Sequence, residues 1–216
     1  MKPDLSLHLV TDERVDLESL VNVVDEAVGA GVGVVQVRRK DDPARAQIDL
    51  VQRLSLAIAG RAALLVNDRL DVALAARDAG ATVDGVHLGQ DDVPPTTARR
   101  VLGSDALIGW TADTAEHLVA LAAMPLGTVD YLGVGVVRVT GSKPDHPAVL
   151  GIDGIGRIAT ATSLPCVAIG GVVADDVAHL RHVGVAGVAV VSAILDAAEP
   201  AVATQALLGR PGAEIA

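Results

Sequence analysis

A single (β/α)8 barrel is the fold this sequence predicts, on three observations. Runs rich in Val, Leu and Ile recur about every 20 to 30 residues, and Ala-rich segments of helical period lie between them. No linker or low-complexity run divides residues 1–216, so they read as one domain. Eight such units suit a closed barrel slightly smaller than the typical ~250 residues. A doubly wound open sheet uses the same units and is the competing architecture, because periodicity does not show closure.

The strands are expected in order at LSLHLV (5–10), VGVVQV (32–37), AALLV (62–66), DGVHL (84–88), ALIG (106–109), VDYLGVG (129–135), PCVAIGG (165–171) and GVAVVS (187–192). Each is a short apolar run rich in β-branched residues, as strands buried on both faces should be. Helices are expected at 17–29, 44–59, 70–79, 95–102, 114–123, 152–162 and 174–182, with a weaker one at 193–208. Gly80, Gly127 and Gly184 precede later strands, where glycine ends a helix.

Composition sets the class. Half the residues are apolar, yet Phe is absent and Tyr and Trp occur once each, so the core must be aliphatic. The formal net charge of −10 argues against a nucleic-acid partner, which calls for a basic face. No apolar run reaches the ~18 residues of a membrane span, and the N-terminal apolar run is too short for a signal peptide. The lone Cys166 cannot form an internal disulfide, so a reducing cytoplasm is the expected compartment.

In a barrel, the C-terminal ends of all strands open onto one face, where active sites sit. Those ends carry Gln36 to Lys40, Asn67-Asp68, the GQDD of residues 89–92, GWTAD (109–113), VVRVTGSKPDHP (136–147), Gly170-Gly171 and Ser192. Strand alternation points Gln36, Arg38 and Lys40 one way and Arg39 the other. A DD after a strand is ordinarily a solvated turn that caps the next helix. Here Asp68 and Asp92 close neighbouring strands and offer hard oxygen ligands suited to Mg²⁺ bridging a diphosphate. Arg38, Lys40 and Lys143 add the positive charge such a ligand needs. Gly171 and Ser192 sit where barrels often bind a monophosphate. The residues therefore imply two phosphorylated substrates. No nucleophile–base pair accompanies them, so catalysis is expected to rest on stabilising charge as diphosphate leaves.

Other features are discounted. GVGVVQ and GVGVVR place their glycines before or within strands rather than at a helix start, and Pro144 spoils a P-loop reading of GVVRVTGSK. His179 and His182 are three apart on a helix without a third ligand and read as surface residues. His8 and His87 read as satisfied core histidines, Cys166 as core packing, and Asp91 and Arg39 as supporting or solvated residues. Trp110 should face the helices if Thr111 faces the site.

LVTD, VQVRRK, LVNDRLDVALA, DGVHLGQDD, VTGSKPD, VAIGG and GVAVVSAI, in this order over nearly the whole chain, resemble the thiamine-phosphate synthase family. The combination of HLGQDD with QxRxK and ND is specific. The resemblance implies a barrel joining 4-amino-2-methyl-5-pyrimidinylmethyl diphosphate to a thiazole phosphate with Mg²⁺. Diphosphate leaves first, and the thiazole nitrogen captures a pyrimidinylmethyl cation. It implies that Gln36, Val37, Arg38, Arg39, Lys40, Asn67 and Lys143 bind the pyrimidine diphosphate, and that Asp68 and Asp92 bind Mg²⁺. Thr140, Gly141, Ser142, Gly171, Val191 and Ser192 are implied for the thiazole phosphate. Arg38, Lys40, Lys143 and Thr111 are implied in catalysis, Thr111 also touching substrate. Gly141 between Arg138 and the prolines predicts a loop over 138–148 that brings Lys143 onto bound substrate.

The chain departs from the family pattern at several positions. Thr111 stands for Ser, Asp113 for His, Arg138-Val139 for an aromatic-Pro pair, and Ser142 for Thr. A thiazole-tautomerase relative would need a histidine near position 113. A barrel that binds thiamine precursors without turnover is the non-enzymatic alternative. Homodimerisation is left open.

Overall fold

The computed structural model describes residues 3–140 and 148–210. Its strands are β1 Leu7–Val10, β2 Val34–Val37, β3 Ala63–Asn67, β4 Gly85–Leu88, β5 Leu107–Thr111, β6 Tyr131–Gly135, β7 Cys166–Ile169 and β8 Gly187–Val190. Its helices are α1 Leu17–Ala30, α2 Ala44–Ile58, α3 Leu70–Asp78, α4 Pro95–Leu102, α5 Ala115–Ala122, α6 Gly151–Thr160, α7 Asp176–His182, α8 Ser192–Leu195 and α9 Pro200–Leu207. All strand pairs are parallel, each strand beside the next, and β8 pairs with β1 to close the barrel. Closure excludes the open-sheet alternative.

Strand alternation divides the core in two. Leu7, Leu9, Val35, Val37, Leu64, Val66, Ile108 and Trp110 pack under the helices. Val10, Val34, Leu65, Leu107, Tyr131, Val167 and Ala189 fill the barrel interior. Both layers are aliphatic apart from Trp110, Cys166 and Tyr131, as the composition requires. Helix ends follow local chemistry: Asp16 caps α1 by accepting from Ser19 N, and Gly31 ends it at φ 118°.

Two strands end short of their expected boundaries, and one expected helix divides. The seventh strand stops at Ile169, because Gly170 and Gly171 turn to φ 91° and 72°. The eighth stops at Val190, and Ser192 opens α8 instead of ending the strand. The helix expected at 193–208 is two helices. Pro200, in the first turn of α9, has no N–H to continue a preceding helix, so a new one starts there. Among the described residues no helix is long and apolar enough to cross a membrane.

Candidate active site

The second and third strands bring the first polar pair together. Gln36 Nε2 donates to Asn67 Oδ1 at 2.5 Å. Thr11, which the sequence reading passed over, fixes the next residue: its hydroxyl accepts from Arg38 N at 2.9 Å and lies 3.2 Å from Arg38 O. Arg38 is partly buried and Lys40 is exposed at the rim. The side chains of residues 36–40 do not all point the same way. The Val37 side chain lies under the helices, away from the mouth. The Arg39 guanidinium pairs with Asp42 at 2.8 Å and donates to Asp12 O and Val15 O, the supporting role that alternation predicts.

Asp68 follows β3 with φ 63°, a left-handed conformation that Asp tolerates better than most residues, and its N–H donates to His87 O at 2.8 Å. Asp92 is reached by a tight turn in which its Oδ2 accepts from Gly89 N at 2.6 Å. The helix-capping explanation of this acid fails, since α4 is preceded by Pro94 and has no side-chain cap. Asp91, beside it, is exposed. Burial pushes the Asp68 carboxyl up to about 6, and the adjoining Asp92 carboxyl adds to this while Lys40 and Arg38 oppose it. Two adjoining carboxylates beside two cations are residues that could hold a divalent metal ion. Among the described residues no cluster of three metal-ligating side chains exists. A two-carboxylate site matches a hydrated Mg²⁺, which takes its remaining oxygens from water and phosphate. Lys40, Asn67 and Asp68 line a pocket of about 280 Å³ on this side of the mouth.

The opposite side is built on glycines. Gly171 carries φ 72°, and a Cβ there would run into the Arg138 side chain. Arg138 lies across this turn: it donates to Gly171 O at 2.5 Å and pairs through both amino groups, each at 2.7 Å, with Asp176. The guanidinium holds Asp176 below the usual carboxylate range despite partial burial. Position 138 thus departs from the family pattern and brings its own anchor. Val191 and Ser192 follow β8, the strand paired with β7, at the start of α8, and Ser192 is exposed. Thr140 is partly buried. Gly141, Ser142 and Lys143, with most of the 138–148 loop, lie outside the described residues.

At the end of β5, Thr111 faces the mouth side of the barrel and Trp110 the helices, as alternation requires. Gln90 donates to Thr111 O at 2.5 Å. Asp113 pairs with His117 at 2.8 Å, so an imidazole reaches position 113 from the first turn of α5. His179 and His182 are exposed, and burial pushes the Cys166 thiol up to about 11, which leaves it inert.

Of the two histidines read as satisfied core residues, His8 departs from that reading and His87 keeps it. His8 is buried, but among the described residues its Nε2 has no hydrogen-bond partner; burial drops its pKa to about 3, so the ring is neutral. His87 is satisfied, but by a chain that leads to the site: Nδ1 lies 2.9 Å from Tyr131 Oη and Nε2 lies 3.1 Å from Thr111 Oγ1. The sequence did contain a signal. Glycines inside strands mark close approach, and Gly109 and Gly133 both adjoin this pair.

The thiamine monophosphate synthase family model matches residues 7–194. A thiamine-phosphate synthase of Salinispora tropica is 47% identical over 210 residues, covering 94% of this chain and 95% of the relative. One of Corynebacterium efficiens is 41% identical over 198 residues, covering 92% and 91%. Among solved structures, a thiamine phosphate pyrophosphorylase from Pyrococcus furiosus superposes with a TM-score of 0.79 at 32% identity, covering 94% of both chains.

Proposed function

The chain belongs to the thiamine monophosphate synthase family, and from that premise we propose that it joins 4-amino-2-methyl-5-pyrimidinylmethyl diphosphate to a thiazole phosphate. It is a transferase of the thiamine-phosphate synthase kind, and its relatives favour neither the tautomerase-like nor the non-catalytic alternative. The observation that carries the substrate reading is the Asp68–Asp92 pair set beside Lys40 and Arg38.

In this reading Gln36 and Asn67, already hydrogen-bonded to each other, orient the pyrimidine, and Arg38 and Lys40 hold the diphosphate. Asp68 and Asp92 would hold Mg²⁺, which offsets the charge gathering on the leaving diphosphate. The carbon–oxygen bond breaks with its electron pair going to diphosphate. The thiazole nitrogen then supplies the pair for the new carbon–nitrogen bond. No side chain needs to act as nucleophile; the fixed charges lower the barrier by meeting charge where it develops. The Gly170-Gly171 turn, Val191 and Ser192 would seat the thiazole phosphate, with backbone N–H groups and the Ser192 hydroxyl as donors. Lys143 would complete the cation set. A cytoplasmic location belongs to the same reading and rests on the lone thiol of Cys166.

Purified protein given both substrates and Mg²⁺ should release diphosphate and form thiamine phosphate in equal amounts. Diphosphate release with no thiamine phosphate would overturn the joining step.

A further inference from the structure

We infer that His87, held by Tyr131, is a positioning residue that sets the Thr111 hydroxyl as a hydrogen-bond donor toward the bound pyrimidine diphosphate. This rests on the functional reading above only for the identity of the acceptor.

The inference follows from hydrogen-bond accounting inside the barrel. Tyr131 is 1% exposed, in the interior layer with Val10, Leu65 and Leu107, and among the described residues its hydroxyl has His87 Nδ1 as hydrogen-bond partner. Burial pushes the phenol above its ordinary range, so it keeps its proton. If His87 carried its proton on Nδ1, the Tyr131 proton would have no acceptor within hydrogen-bond distance among the described residues, and an unmade buried donor is costly. The favoured arrangement has Tyr131 donating to Nδ1, which places the His87 proton on Nε2. Nε2–H then donates to Thr111 Oγ1 at 3.1 Å. A hydroxyl that accepts from one side still owns one proton. That proton is turned away from His87, toward the mouth.

The barrel makes room for this chain. A Cβ at Gly109 would collide with both the Tyr131 ring and His87, and one at Gly133 would lie 2.8 Å from His87 Cε1. Two neighbouring strands therefore omit side chains where the rings stand. The His8 ring packs edge-on against Tyr131 with centroids 5.1 Å apart and closes the stack from β1. A histidine serving only to fill space would need the glycine pair but not a hydroxyl aligned with each ring nitrogen. The arrangement also gives Thr111, which departs from the family's Ser, a fixed direction for its hydroxyl.

Two measurements test the inference. Nitrogen NMR of histidine-labelled wild-type protein, with His87 assigned by its loss in His87→Gln, should show the His87 proton on Nε2. Tyr131→Phe should let that proton spread between the two nitrogens. A proton on Nδ1 in the wild type would overturn the inference, whether or not turnover is found. In steady-state kinetics, His87→Leu should lower kcat ~30-fold with an unchanged KM for thiazole phosphate, while His87→Gln, which keeps a donor, should stay within ~3-fold. In a Thr111→Ala background, His87→Leu should cost less than ~2-fold, because the group it positions is gone. The same loss in both backgrounds would mean His87 does not act through Thr111. A protein with the expected tautomer that fails to make thiamine phosphate would sink the functional reading alone.

Discussion

Asp68 occupies a backbone conformation that few side chains adopt, and the result is a carboxylate turned toward another carboxylate. Burial of the Asp68 carboxyl first, and then its Asp92 neighbour, costs the folded protein stability wherever the group is ionised. The raised Asp68 pKa means that this cost grows as pH rises from 3.8 through about 6 and is complete above it. Asp68→Asn should therefore melt at a higher temperature than wild type in chelator at pH 8, yet gain nothing from added Mg²⁺. Its turnover should fall about a hundredfold or more, the effect of losing one charge-stabilising group, ~3 kcal/mol. Wild-type melting indifferent to Mg²⁺ would return the GQDD turn to a purely structural role. His8 gives the opposite sign. A histidine whose folded pKa is depressed from 6.5 to about 3 keeps its stability above pH 6.5 and loses it as pH falls. The loss is about 1.4 kcal/mol per pH unit below 6.5 until the folded group itself titrates. His8→Met should flatten that part of the acid-unfolding profile in urea melts between pH 7 and pH 4. An unchanged profile would assign acid sensitivity to other groups.

At the scale of elements, the proposed second phosphate site depends on how two strands end. Gly171→Val is a blunt probe, because the left-handed backbone and the Arg138 side chain both resist a Cβ. Ser192→Ala is cleaner, since Ser192 is exposed and caps nothing. It should raise the KM for thiazole phosphate roughly tenfold, the worth of one hydrogen bond to a charged group. The KM for pyrimidine diphosphate should stay within experimental error. If both constants rose together, one shared site would replace two. The strands and most helices were legible because valine-rich runs and helix-ending glycines are local signals. The break between α8 and α9 was also written locally, in Pro200, but the surrounding alanines read as one continuous helix. Arg138 over Gly171 was not legible at all: its partner Asp176 is 38 residues away and belongs to a helix that starts later than expected.

For the whole molecule, closure of the barrel turns scattered strand ends into one surface. Alternation along single strands was enough to separate Arg38 from Arg39 and Trp110 from Thr111. It could not pair Gln36 with Asn67, or His87 with Tyr131, because those contacts depend on the register between strands. A net charge of −10 and the Arg38 and Lys40 cations beside Asp68 coexist for the same reason: net charge is a sum over the chain, and a site is a local arrangement. The central claim is that this arrangement joins two phosphorylated substrates around a divalent cation. Its most direct test is a single assay of thiamine phosphate formation from the pyrimidine diphosphate and thiazole phosphate, run in Mg²⁺, after exhaustive chelation, and after Mg²⁺ is restored. The account predicts product in the first and third conditions and essentially none in the second. Product formation undiminished by chelation would contradict it.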